Sequence, residues 1–340
     1  MPLRLAAVLA VAMLSVTPAA QTIAPVPPLP PPLPSFDVWL AELRTEAVTR
    51  GIRQEIVDSA LAGIEPVAQI LERDRTQAEF ALDLDAYLKR RLTRDIVRTA
   101  QRMYTRHGAL LRRIGERYKV QPRIVVAVWG LESNFGRFAG VRPTFPTLAT
   151  LAYDARRGTM FRNELFSALE IVNRGDMEVA QLRGSWAGAL GQPQFMPSSY
   201  LQYAQDFDKD GRRDIWKSQA DVFASVAYYL EQHGWKSGAT WGREVRIPAA
   251  SREMVSALPF RQEGCRAEQV MTDSKPLKEW RRMGLRTATG AALPAGTMAA
   301  SLVQAGSRSF LLYPNYGALL GYNCAHSYAL SVALLADRLR

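Results

Sequence analysis

An unbroken apolar run, Ile124 to Leu131, that stops on a single carboxylate, Glu132, constrains this chain more than any other segment. Pro122 stands where a helix starts and Gly136 where one stops. A helix apolar on nearly every face belongs inside a core. Val125, Val128 and Trp129 precede Glu132 by seven, four and three residues, so they share its side of the helix. Glu132 is thereby presented from an apolar surface near the negative end of the helix dipole, and both effects disfavour its charged form. Two readings follow. Glu132 is a general acid held protonated near neutral pH, or it is the first exposed residue after a buried helix.

A second segment, Gly184 to Tyr200, combines three properties. Its small residues let a bulky ligand approach the backbone. Gln192 and Gln194 offer amides that both donate and accept hydrogen bonds. Trp186, Phe195 and Tyr200 offer flat apolar faces suited to sugar rings. A third segment, Asp206-Phe207-Asp208-Lys209-Asp210-Gly211, places carboxylates at positions one, three and five and glycine at six, the opening of an EF-hand loop. Arg212, at seven, would give only its backbone carbonyl, and position twelve is Lys217 instead of the expected glutamate. Asp214 or Asp221 remains to close the loop.

The Glu132-Ser133 pair, the Gly-Ser-Trp-Ala-Gly segment with Gln-Phe-Met-Pro-Ser, and the acidic loop occur in an order that resembles the soluble lytic murein transglycosylases of the B type, family 103 of the glycoside hydrolases. The resemblance runs from about Phe36 to the C-terminus. It implies a mainly α (α+β) fold: a lysozyme-like helical core with an inserted helical subdomain and a small β-rich subdomain. Residues 36–135 would hold the helical N-terminal part and the first half of the core, 136–182 the insertion, and 183–238 the second half with the EF-hand-like loop. Residues 239–312 would form the β-rich subdomain and 313–340 the closing core segment and helix.

The resemblance also implies an activity: cleavage of the β-1,4 bond between N-acetylmuramic acid and N-acetylglucosamine, with Glu132 as single acid and base and a 1,6-anhydromuramyl product. It implies Ser185 near the catalytic carboxyl and Gln194 as the amide that holds an acetamido group. Tyr87, Tyr229, Tyr322, Asn323 and Tyr328 would line the cleft with Phe195, and Arg156 and Arg157 would reach towards the stem peptide. Tyr87 and Tyr229 equally fit core aromatics on helices, and the arginine pair fits a solvated face. A structural Ca2+ would sit on Asp206, Asp208, Asp210, Arg212 and Asp221, and no organic cofactor is implied. A glycosidase of the two-carboxylate kind needs a partner for Glu132. None adjoins it in sequence, although Asp154, Glu164 and Glu170 can approach in space. A lysozyme-type hydrolase and a wall-binding module without turnover are the competing readings.

Residues 1–20 carry Arg4, an apolar stretch and small residues ending in Ala19-Ala20, which reads as a signal peptide. The stretch is short for a membrane span, and retention as an anchor is the alternative. Residues 21–35 are a proline-rich linker. Export to the periplasm makes nucleic acid an improbable partner despite a net charge of +11. The expected partners are peptidoglycan glycan strands and other cell-wall enzymes, engaged by a monomer. The basic residues read as dispersed, serving general attraction to anionic wall peptides or solubility alone. Cys265 and Cys324 allow one intramolecular disulfide, with two buried thiols as the alternative. His107, His233 and His326 are scattered, which argues against a His-rich metal site or a His-based nucleophile.

Helical spacing predicts helices over Asp37–Arg50, Thr93–Tyr118 (weakened at Gly108), Asn163–Val172, Asp221–Glu231 and Ser327–Leu339. Composition predicts short strands in Trp241–Pro248 and Arg286–Leu312.

Overall fold

In the computed structural model, the described residues are 34–77 and 83–339. The leader 1–20 and nearly all of the linker 21–35 lie outside them. Ser35 accepts a hydrogen bond from the Val38 amide and so starts α1 (Phe36–Thr49). α2 (Gln54–Ala60) and α3 (Ala68–Gln77) follow, then α4 (Leu84–Arg91). Thr93 caps α5 (Arg94–Arg106) through the Ile96 amide. α6 (Gly108–Tyr118) starts at once, so the helix expected over Thr93–Tyr118 is two helices. His107 closes one and opens the other, and Gly108 at the joint lowers the cost of the break.

The apolar run forms α7 (Pro122–Ser133), with every residue from Ile124 to Leu131 buried. Next come β1 (Arg142–Pro143), α8 (Thr144–Tyr153), α9 (Gly158–Asn173), β2 (Arg183–Gly184), α10 (Pro197–Tyr203) and α11 (Gln219–Gln232). The β-rich part holds β3 (Gly242–Arg246), α12 (Arg252–Ser256), β4 (Lys275–Pro276), α13 (Leu277–Arg282), β5 (Arg286–Thr287), β6 (Ala299–Ala305) and β7 (Arg308–Leu312). α14 (Pro314–Tyr322) and α15 (His326–Ala336) close the chain.

Three apolar clusters organise these elements. The first gathers α4 to α7, α11, α14 and α15 around Val125, Val128, Phe223 and Leu330. The second packs Trp39, Leu43, Leu61 and Ile70 of α1 to α3 against Phe161 and Leu169 of α9. Within the segment 36–135, the first three helices bury their apolar faces with α8 to α10, whereas α4 to α7 join the first cluster. The third cluster fills one side of a five-stranded antiparallel sheet of order β4-β6-β7-β3-β5, around Trp280, Leu302 and Leu311. Trp280 Nε1 donates to the Ala300 and Lys275 carbonyls, which fixes α13 to the sheet. A Cys265–Cys324 disulfide ties the β-rich part to the α14–α15 turn. It closes a 59-residue separation, a constraint on the unfolded chain of about 4 kcal/mol.

Candidate active site

The site is built on the end of α7. Ser133 Oγ donates to the Trp129 carbonyl (2.9 Å) and accepts from the Gly136 amide (3.0 Å). Asn134, Phe135 and Gly136 then run at φ 50°, 59° and 82°, left-handed backbone that is costly for the two residues with a side chain. Packing holds it there. The Phe135 ring folds back over Gly130, where a Cβ would lie 2.5 Å from it, and meets Trp129 edge-on at 5.5 Å. The turn thus stops the helix one residue after Glu132 and fixes the direction of that carboxyl.

Glu132 keeps some contact with solvent, yet its carboxyl is packed round by protein at depth. Burial raises its pKa to about 7. The Tyr328 hydroxyl and the Arg91 guanidinium pull the other way. That hydroxyl acts on the carboxyl without meeting strict hydrogen-bond geometry, so it is a close neighbour of Glu132 rather than an ideal donor. Arg91, the last residue of α4, donates from Nη2 to the Leu131 carbonyl at 2.6 Å. Nothing in the sequence singled out Arg91, because α4 reaches α7 only through packing.

The aromatic lining assembles as a stack behind the carboxyl. Tyr322 and Tyr328 lie nearly parallel, 6.3 Å apart. The charge of Glu132 adds to burial in keeping both phenols protonated. Tyr322 donates to the Pro193 carbonyl (2.8 Å), and Tyr229 donates to the Gly321 carbonyl (2.7 Å) and stacks on His233. Two expectations change here. Phe195 is 2% exposed and packs under Tyr229 and Tyr322, so its ring supports the lining instead of facing a sugar. Tyr200, also proposed as a sugar platform, is fully buried and donates to the Arg213 carbonyl. Tyr229 is nearly buried and serves mostly as a prop, whereas Tyr87 on α4 is half-buried and Asn323, just past α14, is exposed.

The Gly184–Tyr200 segment is a tight double turn. Leu190 and Phe195 exchange two backbone hydrogen bonds across Gly191 and Gln194, both at positive φ. Gln194 turns its amide onto the Gly191 carbonyl (2.8 Å). Ser185 Oγ accepts from the Ala187 and Ala189 amides. Gln192, read as a ligand amide, is a hub inside the protein: its Oε1 accepts from Trp129 Nε1 (2.6 Å) and Gln219, and its Nε2 donates to the Trp216 carbonyl. It fastens this segment to α7.

Arg156 and Arg157 both pair with Asp74, whose side chain is 6% exposed, while each guanidinium stays half open to solvent. The three carboxylates considered as partners of Glu132 are bonded elsewhere. Asp154 accepts from the Arg156 amide, Glu164 accepts from the Ser198 amide and hydroxyl, and Glu170 pairs with Arg174.

The acidic loop brings carboxylate oxygens of Asp206, Asp208 and Asp210 within 4.8 Å of one another. Asp206 also accepts the Asp210 and Gly211 amides, and the Arg212 amide donates to Asp210. Convergent hard oxygens of this kind fit a Ca2+ ion. Asp221, the expected closing ligand, is not one of these three converging residues and lies beside Asp208. It is fully buried, and its two oxygens accept the Phe207 and Asp214 amides at 2.8 and 2.9 Å. It clamps the two ends of the loop. Asp214 is likewise spent on the Trp216 and Lys217 amides.

A family model described as Transglycosylase SLT domain matches residues 35–337. The chain belongs to this family. Among its relatives, the Membrane-bound lytic murein transglycosylase B of Escherichia coli is 38% identical over 153 residues. That alignment takes in 45% of this chain and spans less than half, 42%, of that protein. SltB3 from Pseudomonas aeruginosa, solved with NAG-anhNAM-pentapeptide and with NAG-NAM-pentapeptide, is 39% identical over 90% of this chain and 79% of that one, with TM-scores of 0.80 and 0.81. The Escherichia coli lytic transglycosylase SLT35 in complex with calcium is 26% identical over 88% of this chain and 92% of that one, with a TM-score of 0.73. The mainly helical, lysozyme-like architecture with its small sheet is that of the B-type soluble lytic transglycosylases.

Proposed function

We propose that this chain is a peptidoglycan lytic transglycosylase that cleaves the N-acetylmuramic acid–N-acetylglucosamine bond with Glu132 as both acid and base. The observation that carries the reading is the isolation of Glu132. Its carboxyl is held protonated by burial, the charged group that acts on it is a cation, Arg91, and the candidate second carboxylates are engaged elsewhere. Glu132 gives its proton to the glycosidic oxygen as the bond from muramyl C1 to that oxygen breaks, and the glucosamine side leaves as an alcohol. The resulting carboxylate takes the proton from the C6 hydroxyl of the same muramyl ring, whose oxygen then bonds C1. Bonds and protons balance without water, so a second carboxylate to activate water is not required. Arg91 steadies the carboxylate between the two transfers. SltB3 supports the substrate class, having been solved with muramyl pentapeptide fragments.

The same reading includes a structural Ca2+ on Asp206, Asp208 and Asp210 with the Arg212 carbonyl, supported by their convergent oxygens and by the calcium complex of SLT35. It places the mature enzyme in the periplasm, acting alone on wall glycan or beside other wall enzymes. The leader-like residues 1–20 support this, and the Cys265–Cys324 bond suits an oxidising compartment. Digestion of purified peptidoglycan in 18O-labelled water tests the chemistry. Products without the label are expected; label at the new muramyl ends would mean hydrolysis and would require a second carboxyl.

A further inference from the structure

Between residues 83 and 119, eleven Lys and Arg stand against four Asp and Glu, so a net +7 of the chain's +11 sits in one-ninth of its length. The charge is therefore concentrated, contrary to its dispersed appearance along the whole sequence. α5 organises it. Ile96, Val97, Ala100, Met103 and Tyr104 turn one side of that helix into the core. Arg94, Arg98, Arg102 and Arg106, each four residues after the last, form a single exposed stripe on the opposite side. At 1.5 Å per residue the stripe is about 18 Å long. Like charges at this spacing repel and destabilise a helix. Only Arg98 has an acidic partner among the described residues, Asp95. At one end of the stripe lies a cleft of about 400 Å3, walled by Leu92 and Val97 and rimmed by Arg94, Arg98 and Arg338.

We propose that this face of α5 docks on an anionic phospholipid surface. Nine of the eleven basic residues are arginine, whose planar fork matches phosphate oxygens in pairs. A straight stripe of one sign suits a continuous sheet of phosphates, which relieves the repulsion along the helix. The cleft adds an apolar wall beside three guanidinium groups, the complement of a phosphate head joined to a hydrocarbon chain. No aromatic side chain interrupts the stripe, so it lacks the stacking platform of a single-stranded nucleic acid site. The inference stands independently of the reaction at Glu132.

Sedimentation of the full chain with extruded vesicles tests it, using equal parts phosphatidylglycerol and phosphatidylcholine against phosphatidylcholine alone. At low salt the wild type binds the anionic vesicles more tightly. The triple variant Arg94→Gln, Arg98→Gln, Arg102→Gln loses roughly a hundredfold, about fivefold per arginine. The corresponding triple change to Lys keeps most of the binding, which separates lost charge from lost helix. Uptake by neutral vesicles, which reports the apolar N-terminal stretch, and turnover of soluble wall fragments both stay unchanged. Equal binding of wild type and Gln variant to anionic vesicles would overturn the proposal. So would a Gln variant that keeps vesicle binding but loses purified peptidoglycan, since the stripe would then serve anionic wall peptides.

Discussion

Glu132 and the Asp206–Asp210 loop use the same functional group in opposite surroundings. Glu132 is buried at the negative end of α7, with the Tyr328 hydroxyl and the Arg91 guanidinium as polar neighbours, and burial raises its pKa to about 7. The three loop aspartates stand together near the surface: backbone amides donate to Asp206 and Asp210, and the Ser218 hydroxyl donates to Asp208. On the proposed reading, burial makes one carboxyl a proton donor and clustering makes three of them a cation cradle. Surroundings, not residue type, would then separate the acid from the ligands.

The contrast breaks most plainly on activity. Replacing Glu132 with Gln should cost roughly a thousandfold or more in turnover, the usual worth of a positioned general acid. Asp208→Asn at saturating Ca2+ should leave turnover within a few-fold. Assay of released muropeptides from the two variants decides whether only one of the two carboxylate sites does chemistry.

Stability should respond the other way round. Ca2+ at a hundred times its dissociation constant should stabilise the wild type by about 2.7 kcal/mol, and chelation should remove it. Calorimetric melting with and without chelator reads the effect, which Asp206→Asn should abolish and Glu132→Gln should leave intact.

Glu132 should carry a stability cost of its own. Below pH 4.5 it is protonated in both folded and unfolded chains. As pH rises from 4.5 to about 7 the unfolded chain loses the proton first, so stability falls through that window and levels above it. Glu132→Gln should therefore be more stable than wild type at pH 8, by roughly 3 kcal/mol, and equal to it at pH 4. Denaturant titrations at the two pH values test this.

The smallest effect concerns Arg91. Without its positive charge the carboxylate is less favoured, so Arg91→Met should move the alkaline limb of kcat/KM to higher pH while lowering kcat a few-fold. An unmoved limb would remove Arg91 from the account of Glu132.

The two sites were legible in sequence to different depths. Val125, Val128 and Trp129 announce the burial of Glu132, because a helix fixes which side chains share its face. The three loop aspartates were equally plain, since their ligand spacing is local. The surroundings of Asp221 were hidden, because counting from the start of a loop cannot see that its oxygens hold the Phe207 and Asp214 amides. Gln192 and Phe195 were misread for a related reason. Their residue types suit sugar binding, but packing turns one onto Trp129 and the other beneath Tyr322. The attachment of α1 to α3 to α9 was hidden as well, because an amphipathic helix states that it has a partner without naming it.

Mass spectrometry of the muropeptides released from purified peptidoglycan by wild type and by Glu132→Gln decides whether Glu132 serves as both acid and base. The wild type should release 1,6-anhydromuramyl ends, one water lighter than reducing ends, and the variant essentially none. Reducing ends from the wild type, or undiminished anhydro ends from the variant, would contradict that dual role.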